Sequence, residues 1–548
     1  MTAGASGRPA GSAGKTRPPG AADSGPNGPV SPIPGPRAPR TTSAPGGETP
    51  PGPAANTSPS RPAPRGIPGI LPLAVLGPAA LKARSWQTPR VLRVLTALCL
   101  AALLTTAAVA ATVLGGARDG TDTIGHDKAP QAVRAADLYF ALADMDAQAA
   151  DLLLAGADPD YAKLRTETRQ TYEQRRAQAD SDLQRATEAA VGDPVGEQAV
   201  HTVIDDLGQY ESLVARAQLL EDQAHAPAGR PSPEALDAYR QATDLLRQQL
   251  LPAADRVTAG NAATVDRVYT AQRGDLAAGR RWLLAAGLVA VAALVLLQRT
   301  LAVRFRRLLN PALLAVTALT VVAVATGYTL AGTTDRNLVV AKSNAYDSVI
   351  ALSRARAVAY DMNADESRYL TDPSRAAAYE QSYRDKSQSM VRLGGSGSLT
   401  DYESGLAAAV TAHRAEPQAK VVFGGFLGDE LRNITFPGER AAAEQVLTDY
   451  RQYQSDDRTI RQLSGQGRLK EAVTYDTGTG AGQSNADFGQ LADAMDGVIA
   501  INQRSFDGAV TATDHDLGPG LALGGAALLA VALTLTVLAV RPRLREYR

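Results

Sequence analysis

The sequence predicts an all-α membrane protein with four transmembrane helices and two tandem extracytoplasmic antiparallel four-helix bundles, related by internal duplication. Three observations carry this prediction. Four apolar runs are free of charge, arginine-rich segments alternate with acidic ones, and the two long polar segments repeat a series of short motifs in the same order.

Residues 283–297 and 308–332 carry no charge and are separated by Arg299, Arg304, Arg306 and Arg307. Each run is long enough, or nearly so, to cross the roughly 30 Å hydrocarbon layer as a helix. Positive loops stay in the cytoplasm, so the link 299–307 is expected inside and its four arginines determine the topology. The first crossing, 94–116, follows Arg90 and Arg93 and precedes Asp119 and Asp122. The second is 282–298, the third 308–332, and the fourth, 518–540, runs into a short basic end, 541–548. Both termini are then cytoplasmic in a multi-pass plasma-membrane protein, with residues 117–281 and 333–517 outside. Trp86 and Trp282, the only tryptophans, fall at opposite interfaces, where amphipathic rings sit. Arg280 and Arg281 lie at an outer boundary and are expected to snorkel toward water.

The net charge of zero conceals a sorting of charge. Residues 117–279 hold 27 acidic and 16 basic side chains, and residues 333–517 hold 26 and 19, which leaves almost only bases elsewhere. Acidic polar segments would repel phosphate, so nucleic-acid binding is not expected. The single cysteine, Cys99, lies in an apolar run and excludes disulfides and cysteine-based metal sites.

Residues 1–90 contain 20 of the 33 prolines and very few acids, a composition that cannot bury enough apolar surface to fold. This cytoplasmic tail is expected to be disordered. Ile70 and Leu71 belong to an apolar patch within it, read either as a docking motif for a cytoplasmic partner or as a sticky linker near the membrane.

The two outside segments repeat each other. "DMDA" at Asp144 matches "DMNA" at Asp361, and both copies continue to an Asp-Pro break, at Asp158-Pro159 and Asp372-Pro373. "QYES" at Gln209 matches "QYQS" at Gln452, and Asp255, Asn261, Asp266 and Asp275 align without gaps with Asp496, Asn502, Asp507 and Asp516. Leu138, Leu142, Met145, Ala149 and Leu152 step by four and three, a heptad seam, as do Leu491, Met495, Val498 and Asn502. Breaks near Pro159, Pro194 and Pro233 divide the first copy into four helices, the first and last continuous with the membrane. The second copy inserts a stretch between Arg392 and Glu439 that contains Val421, Val422, Phe423, Phe426 and Leu427. An apolar run of this kind usually marks a contact surface. Packing on the protein itself, contact with lipid headgroups and reception of a partner are the open readings.

Chemistry-bearing motifs are sparse. The five histidines are scattered without paired ligand spacing, and no phosphate-cradling loop or nucleophile motif occurs. No catalytic, cofactor-binding or metal-binding residue is identified, so neither a cofactor nor an enzyme is expected. The crossings hold no ionisable group of the kind that ion pathways require, which disfavours transport. Asn261 and Asn502 fall near the apolar seam of the helix that returns to the membrane. Such a polar residue either sets helix register or leaves the helix able to slide when something binds outside.

A helical bundle whose first and last helices enter the membrane resembles the sensing domains of chemoreceptors and sensor kinases in architecture. More specifically, "LLPAADRV" at Leu250, "DELRNITFPGE" at Asp429, and "RLKEAV" followed by "FGQL" in the second copy are similar to actinobacterial four-helix membrane proteins of the GlnX type. The resemblance covers roughly residues 90–548 and implies a relay of amino-acid availability from an extracytoplasmic solute-binding protein to a soluble serine/threonine kinase, protein kinase G. The expected function is therefore a non-catalytic transmembrane signal transducer in the lipid bilayer. The alternative is a membrane scaffold or envelope protein, with a transport-system subunit a weaker third.

Overall fold

The computed structural model describes residues 88–190, 193–305, 310–395 and 397–545. Ile70, Leu71, Arg306 and Arg307 lie outside them, as do residues 1–87 of the expected tail. Every named element is helical, and one isolated backbone bridge joins Arg392 to Gly424.

Four helical stretches are long and apolar enough to cross a membrane. Three of them pass into the polar body without interruption, each through a segment of wider π-helical turn. Thr88–Asp122 (α1) continues through Thr123–Lys128 into Ala129–Ala155 (α2). Pro233–Leu245 (α5) continues through Leu246–Leu250 into the long helix Leu251–Phe305 (α6). In the second repeat Pro311–Val339 (α7) continues through Val340–Tyr346 into Asp347–Thr371 (α8). Thr123 and Val340 are separated by the same interval as Asp144 and Asp361, so the wide turn recurs at the same place in both repeats. The fourth stretch is broken: Ser484–Asp516 (α14) stops before Gly518, and Pro519–Arg545 (α15) restarts. Pro519 lacks an N–H and disfavours a helical residue before it.

Between entry and exit, the first repeat folds Ala162–Ala190 (α3) and Pro194–Ala224 (α4) against α2, α5 and the polar part of α6. Local chemistry sets the starts. The Asp193 carboxylate accepts from the Val195 N–H at 3.2 Å and the Ser232 hydroxyl from the Ala235 N–H at 3.2 Å, each ahead of a proline at the first helical position. The second repeat uses α8, Ala376–Met390 (α9), Glu439–Gly465 (α12) and α14, with Leu399–Ala415 (α10), Gly425–Asn433 (α11) and Leu469–Asp476 (α13) added. The heptad seams are buried as expected: Leu138, Leu142 and Met145 in one copy, and Leu491, Met495 and Val498 in the other, are 0% exposed.

The two bundles share a core. Helices α2 and α8 pack along each other, and a single apolar cluster runs from Leu138, Leu142 and Met145 through Val349, Met362 and Leu491. Phe140 meets Tyr360 edge to face at 4.9 Å across this contact. In the apolar layer α1 packs on α6, α6 on α7, α7 on α15 and α15 on α1, with α1 also touching α7. Cys99, Leu294, Leu297, Leu313 and Val316 form the interior there, whereas Leu288, Val322 and Leu523 face outward. Trp282 is 60% exposed at its edge. The Arg280 guanidinium lies 4.3 Å from the centre of the Tyr328 ring, which gives this boundary arginine a cation–π partner. Arg299 and Arg304 stand exposed on the last turns of α6, at the opposite end from the polar body.

Gly156 ends α2 with φ +55°, and a Cβ there would lie 2.7 Å from the Ala226 carbonyl oxygen. Gly438 also has positive φ but faces open space. Gly156→Ala is expected to lose about 1–3 kcal/mol in thermal or denaturant unfolding, and Gly438→Ala about 1 kcal/mol or less, because only the first adds a steric clash to the backbone strain.

Candidate functional site: the charged seam between the repeats

The contact between α2 and α8 carries a buried charge network. Asp361, Asp365 and Arg368 step by four and three along α8, so they share one face. Arg368 is 0% exposed. Its Nη1 donates to Asp361 at 3.1 Å and to Asp365 at 2.6 Å, its Nε donates to the Tyr239 hydroxyl at 3.2 Å, and its Nη2 donates to Asp146 of the first repeat. Asp146 also accepts from the hydroxyls of Tyr210 on α4, at 3.2 Å, and Thr243 on α5, at 3.0 Å. Lys386 on α9 pairs with Asp361 at 2.6 Å and with Asp365, and Arg247, in the π segment after α5, stands 3.6 Å from Asp365. Three cations thus face three carboxylates. Burial alone would raise the carboxyls of Asp361 and Asp365, but Lys386, Arg247 and Arg368 outweigh it and hold both below the usual range. Burial pulls the Lys386 ammonium down, against the pull of the same two aspartates.

Further pairs join the repeats on either side of this centre. Towards the tip, Arg240 forks onto Asp372 at 2.8 and 2.6 Å, Arg375 pairs with Asp244 at 3.1 Å, and Lys470 with Asp160 at 2.9 Å. Towards the membrane, Arg354 meets Asp255 at 3.1 Å, Lys342 pairs with Asp266, and Arg273 meets Asp335 at 2.8 Å. Cations from both repeats take part, so the seam is reciprocal rather than a basic surface laid on an acidic one.

Beside the network lies a carboxylate group of the opposite character. Asp151 accepts from Ser367 at 2.6 Å, and Asp476 approaches the same hydroxyl at 3.4 Å. Burial, with a smaller contribution from Asp144, pushes the Asp151 carboxyl up to about 7. Asp476 is raised by burial and by Asp151, and Glu366 by burial and by Asp457, although Glu366 accepts from the Tyr453 hydroxyl at 2.8 Å. All three are raised where the central aspartates are lowered, because burial outweighs the pull of Arg368 on Asp151 and of Arg461 on Glu366.

The structure treats the two seam asparagines differently. Asn261 is half-buried on α6, whereas Asn502 on α14 is 0% exposed and donates to the Val498 carbonyl at 3.2 Å. Asn502 and Ser348 lie within hydrogen-bonding reach of Glu430, whose carboxyl burial and the neighbouring Glu439 push up to about 7. Both glutamates come from the "DELRNITFPGE" run, which ends α11, turns as a hook and begins α12. Glu439 closes it by accepting from the Thr435 and Phe436 N–H groups at 2.6 and 2.8 Å.

The apolar run in the insertion is largely consumed by the protein's own core. Val421, Phe423 and Leu427 are 9%, 3% and 2% exposed, Phe426 packs partly against the same cluster, and Val422 alone stands out at 84%. Of the three open readings, packing on the protein itself accounts for most of the run, with Val422 left exposed. Gly425, at φ +81°, lets this segment pass against the Met390 carbonyl. Sequence reasoning used "DMDA" and "DMNA" as markers of duplication and missed the network they frame. The signal was present: a helix face of Asp361, Asp365 and Arg368 next to a heptad seam requires an oppositely charged partner inside the protein.

Arg368→Met leaves Asp146 and Asp365 under-compensated in a buried site and is expected to cost about 3–5 kcal/mol in unfolding measurements. Adding Asp146→Leu restores the balance of the remaining charges and should recover at least half of that loss. For Asp151 the folded carboxyl titrates near 7 against 3.8 for the ordinary side chain. Its stabilising contribution is therefore full below about pH 4 and is lost as pH rises through about 7. Asp151→Asn keeps the acceptor for Ser367 and should stabilise the protein at pH 8, on the order of 2–4 kcal/mol, with little gain at pH 4. A melting temperature gap that does not widen between pH 4 and pH 8 would count against this assignment.

Residues 120–270, which span the first repeat from the end of α1 to the polar part of α6, match the family described as the actinobacterial sensor domain. No curated protein and no solved structure matches the chain. The first bundle of this multi-pass helical protein is thus similar to the sensor domains of actinobacteria, which supports a sensing role.

Proposed function

We propose that the protein is a non-catalytic transmembrane signal transducer. Its polar body lies outside the cytoplasm with both termini inside, and receives an amino-acid signal from a solute-binding protein. A cytoplasmic serine/threonine kinase reads the result. The observation that carries this reading is helix continuity. The helices that hold Asp146, Arg247 and Arg368 are the same rods that cross the apolar layer. A shift of the seam by a fraction of a helical turn would therefore be transmitted along α1, α6 and α7. The π segments supply the wide turns at which register can change locally. A ligand drives such a change only by binding two arrangements with different affinity, and a seam of reciprocal ion pairs has discrete alternative pairings rather than a continuum.

Co-purification from native membranes tests the partners. Recovery of a solute-binding protein together with a serine/threonine kinase is the expected result, whereas recovery of only wall-synthesis or division proteins would favour a scaffold and sink the relay. A second measurement tests the route. Arg247→Gln removes one charge from the π segment at the edge of the network and should change kinase output by severalfold at unchanged protein level in the membrane. Unchanged output with an intact seam would show that the signal does not pass through α5 and α6.

A further inference from the structure

In the first few turns outside the apolar layer, each exit helix touches the entry helix of the other repeat, and the two contacts differ in chemistry. On one side Arg273 of α6 pairs with Asp335 of α7 at 2.8 Å, and the Tyr269 hydroxyl meets the Ser343 hydroxyl at 3.0 Å. In the register of the repeats, Arg273 corresponds to Asp514 on α14, and Ser343 to His126 in the π segment after α1. The reciprocal contact therefore sets an acid where the first has an arginine. His126 Nε2 lies 2.8 Å from Asp514 Oδ2. Asp122, one turn before His126, completes a group whose ligand atoms all lie within 4.8 Å of one another. Arg118, on the same helix and half exposed, lies 3.9 Å from Asp122.

We propose that Asp122, His126 and Asp514 form a divalent metal site of the zinc class, which ties the entry helix of the first repeat to the exit helix of the second. The donor set is one imidazole and two carboxylates. Zinc takes imidazole nitrogen at about 2.0–2.1 Å and carboxylate oxygen at about 2.0–2.2 Å, so three donors around one ion lie about 3–3.5 Å apart. The observed group, within 4.8 Å, would have to tighten to that spacing, and the exposure of its side chains leaves them room to rotate. The imidazole discriminates against magnesium and calcium, which prefer oxygen ligands and more of them than two carboxylates provide. Side-chain exposures of 49%, 58% and 37% for Asp122, His126 and Asp514 leave a fourth position to water and make the ion exchangeable rather than structural. Two of the ligands come from the α1 side and one from α14, so occupancy reports on the relative position of two helices, and no second copy of the site exists at Val339 and Ser343. The proposal stands independently of any kinase relay.

Isothermal titration of the tag-free full chain in lipid nanodiscs with zinc chloride tests it. One saturable site in the micromolar range is expected, with no comparable uptake of magnesium. His126→Ala and Asp514→Asn should each weaken it at least tenfold and Asp122→Asn by less, while Asp127→Asn, an acid on the same segment outside the group, should leave it unchanged. Zinc should raise the melting temperature of the parent protein and not that of His126→Ala, the two being equal without metal because the side chain is exposed. Absence of saturable zinc binding, or affinity unchanged within twofold in both His126→Ala and Asp514→Asn, overturns the proposal.

Discussion

Arg368 lies at the centre of the polar body, where an uncompensated guanidinium would cost several kcal/mol. Its planar fork reaches two carboxylates of its own helix and one of the other repeat, which a lysine ammonium could not do with the same fixed geometry. Much of the remaining arrangement answers to that placement. Asp146 must face α8 from α2, Tyr210 and Thr243 must bring hydroxyls to Asp146 and Tyr239 one to Arg368, and Lys386 and Arg247 must balance Asp361 and Asp365. Buried ion networks add little net stability over apolar packing, and their better-attested use is to fix register. Here the register fixed is that of one repeat against the other.

That constraint explains why the duplication yields one body rather than two beads. An apolar contact between α2 and α8 would tolerate sliding by a turn, whereas moving α8 by one turn would strand Asp146 from Arg368. The ion pairs above and below extend the same specification from Lys470 and Asp160 at the tip to Arg273 and Asp335 beside the membrane. Acids raised by burial sit next to the ionised network, so the seam has both a charge-locked part and a part, at Asp151, whose charge changes near pH 7. The two respond to acidification in opposite senses.

Duplication also explains the asymmetries. The first repeat keeps plain four-helix connectivity, while the second adds α10, α11 and α13. Its insertion uses Phe423 and Leu427 to cover core that the shorter α9 leaves open, so an apolar run that reads as a contact surface becomes interior. Asn261 and Asn502 occupy the same repeat position, yet Asn502 is fully buried, with Glu430 within hydrogen-bonding reach of it, and Asn261 only half-buried. In the apolar layer, charge-free runs leave packing to small and branched side chains, and Asn310 adds a bond of 3.1 Å from its Nδ2 to the Ala539 carbonyl between α7 and α15.

The sequence by itself determined what depends on local periodicity and composition. The four apolar helices follow from the length of charge-free runs, the helix breaks from Asp-Pro and Pro-led caps, and the buried seams from heptads such as Leu138, Leu142 and Met145. The duplication follows from motifs in order. The tertiary structure decided which helix faces meet: that α2 packs on α8, that "DMDA" and "DMNA" frame one charge network, and that His126 stands beside Asp514, 388 residues away. Periodicity shows that a helix has a buried face but not which helix buries it, since any complementary apolar stripe satisfies the same pattern. The partner is chosen by charges brought together from distant positions.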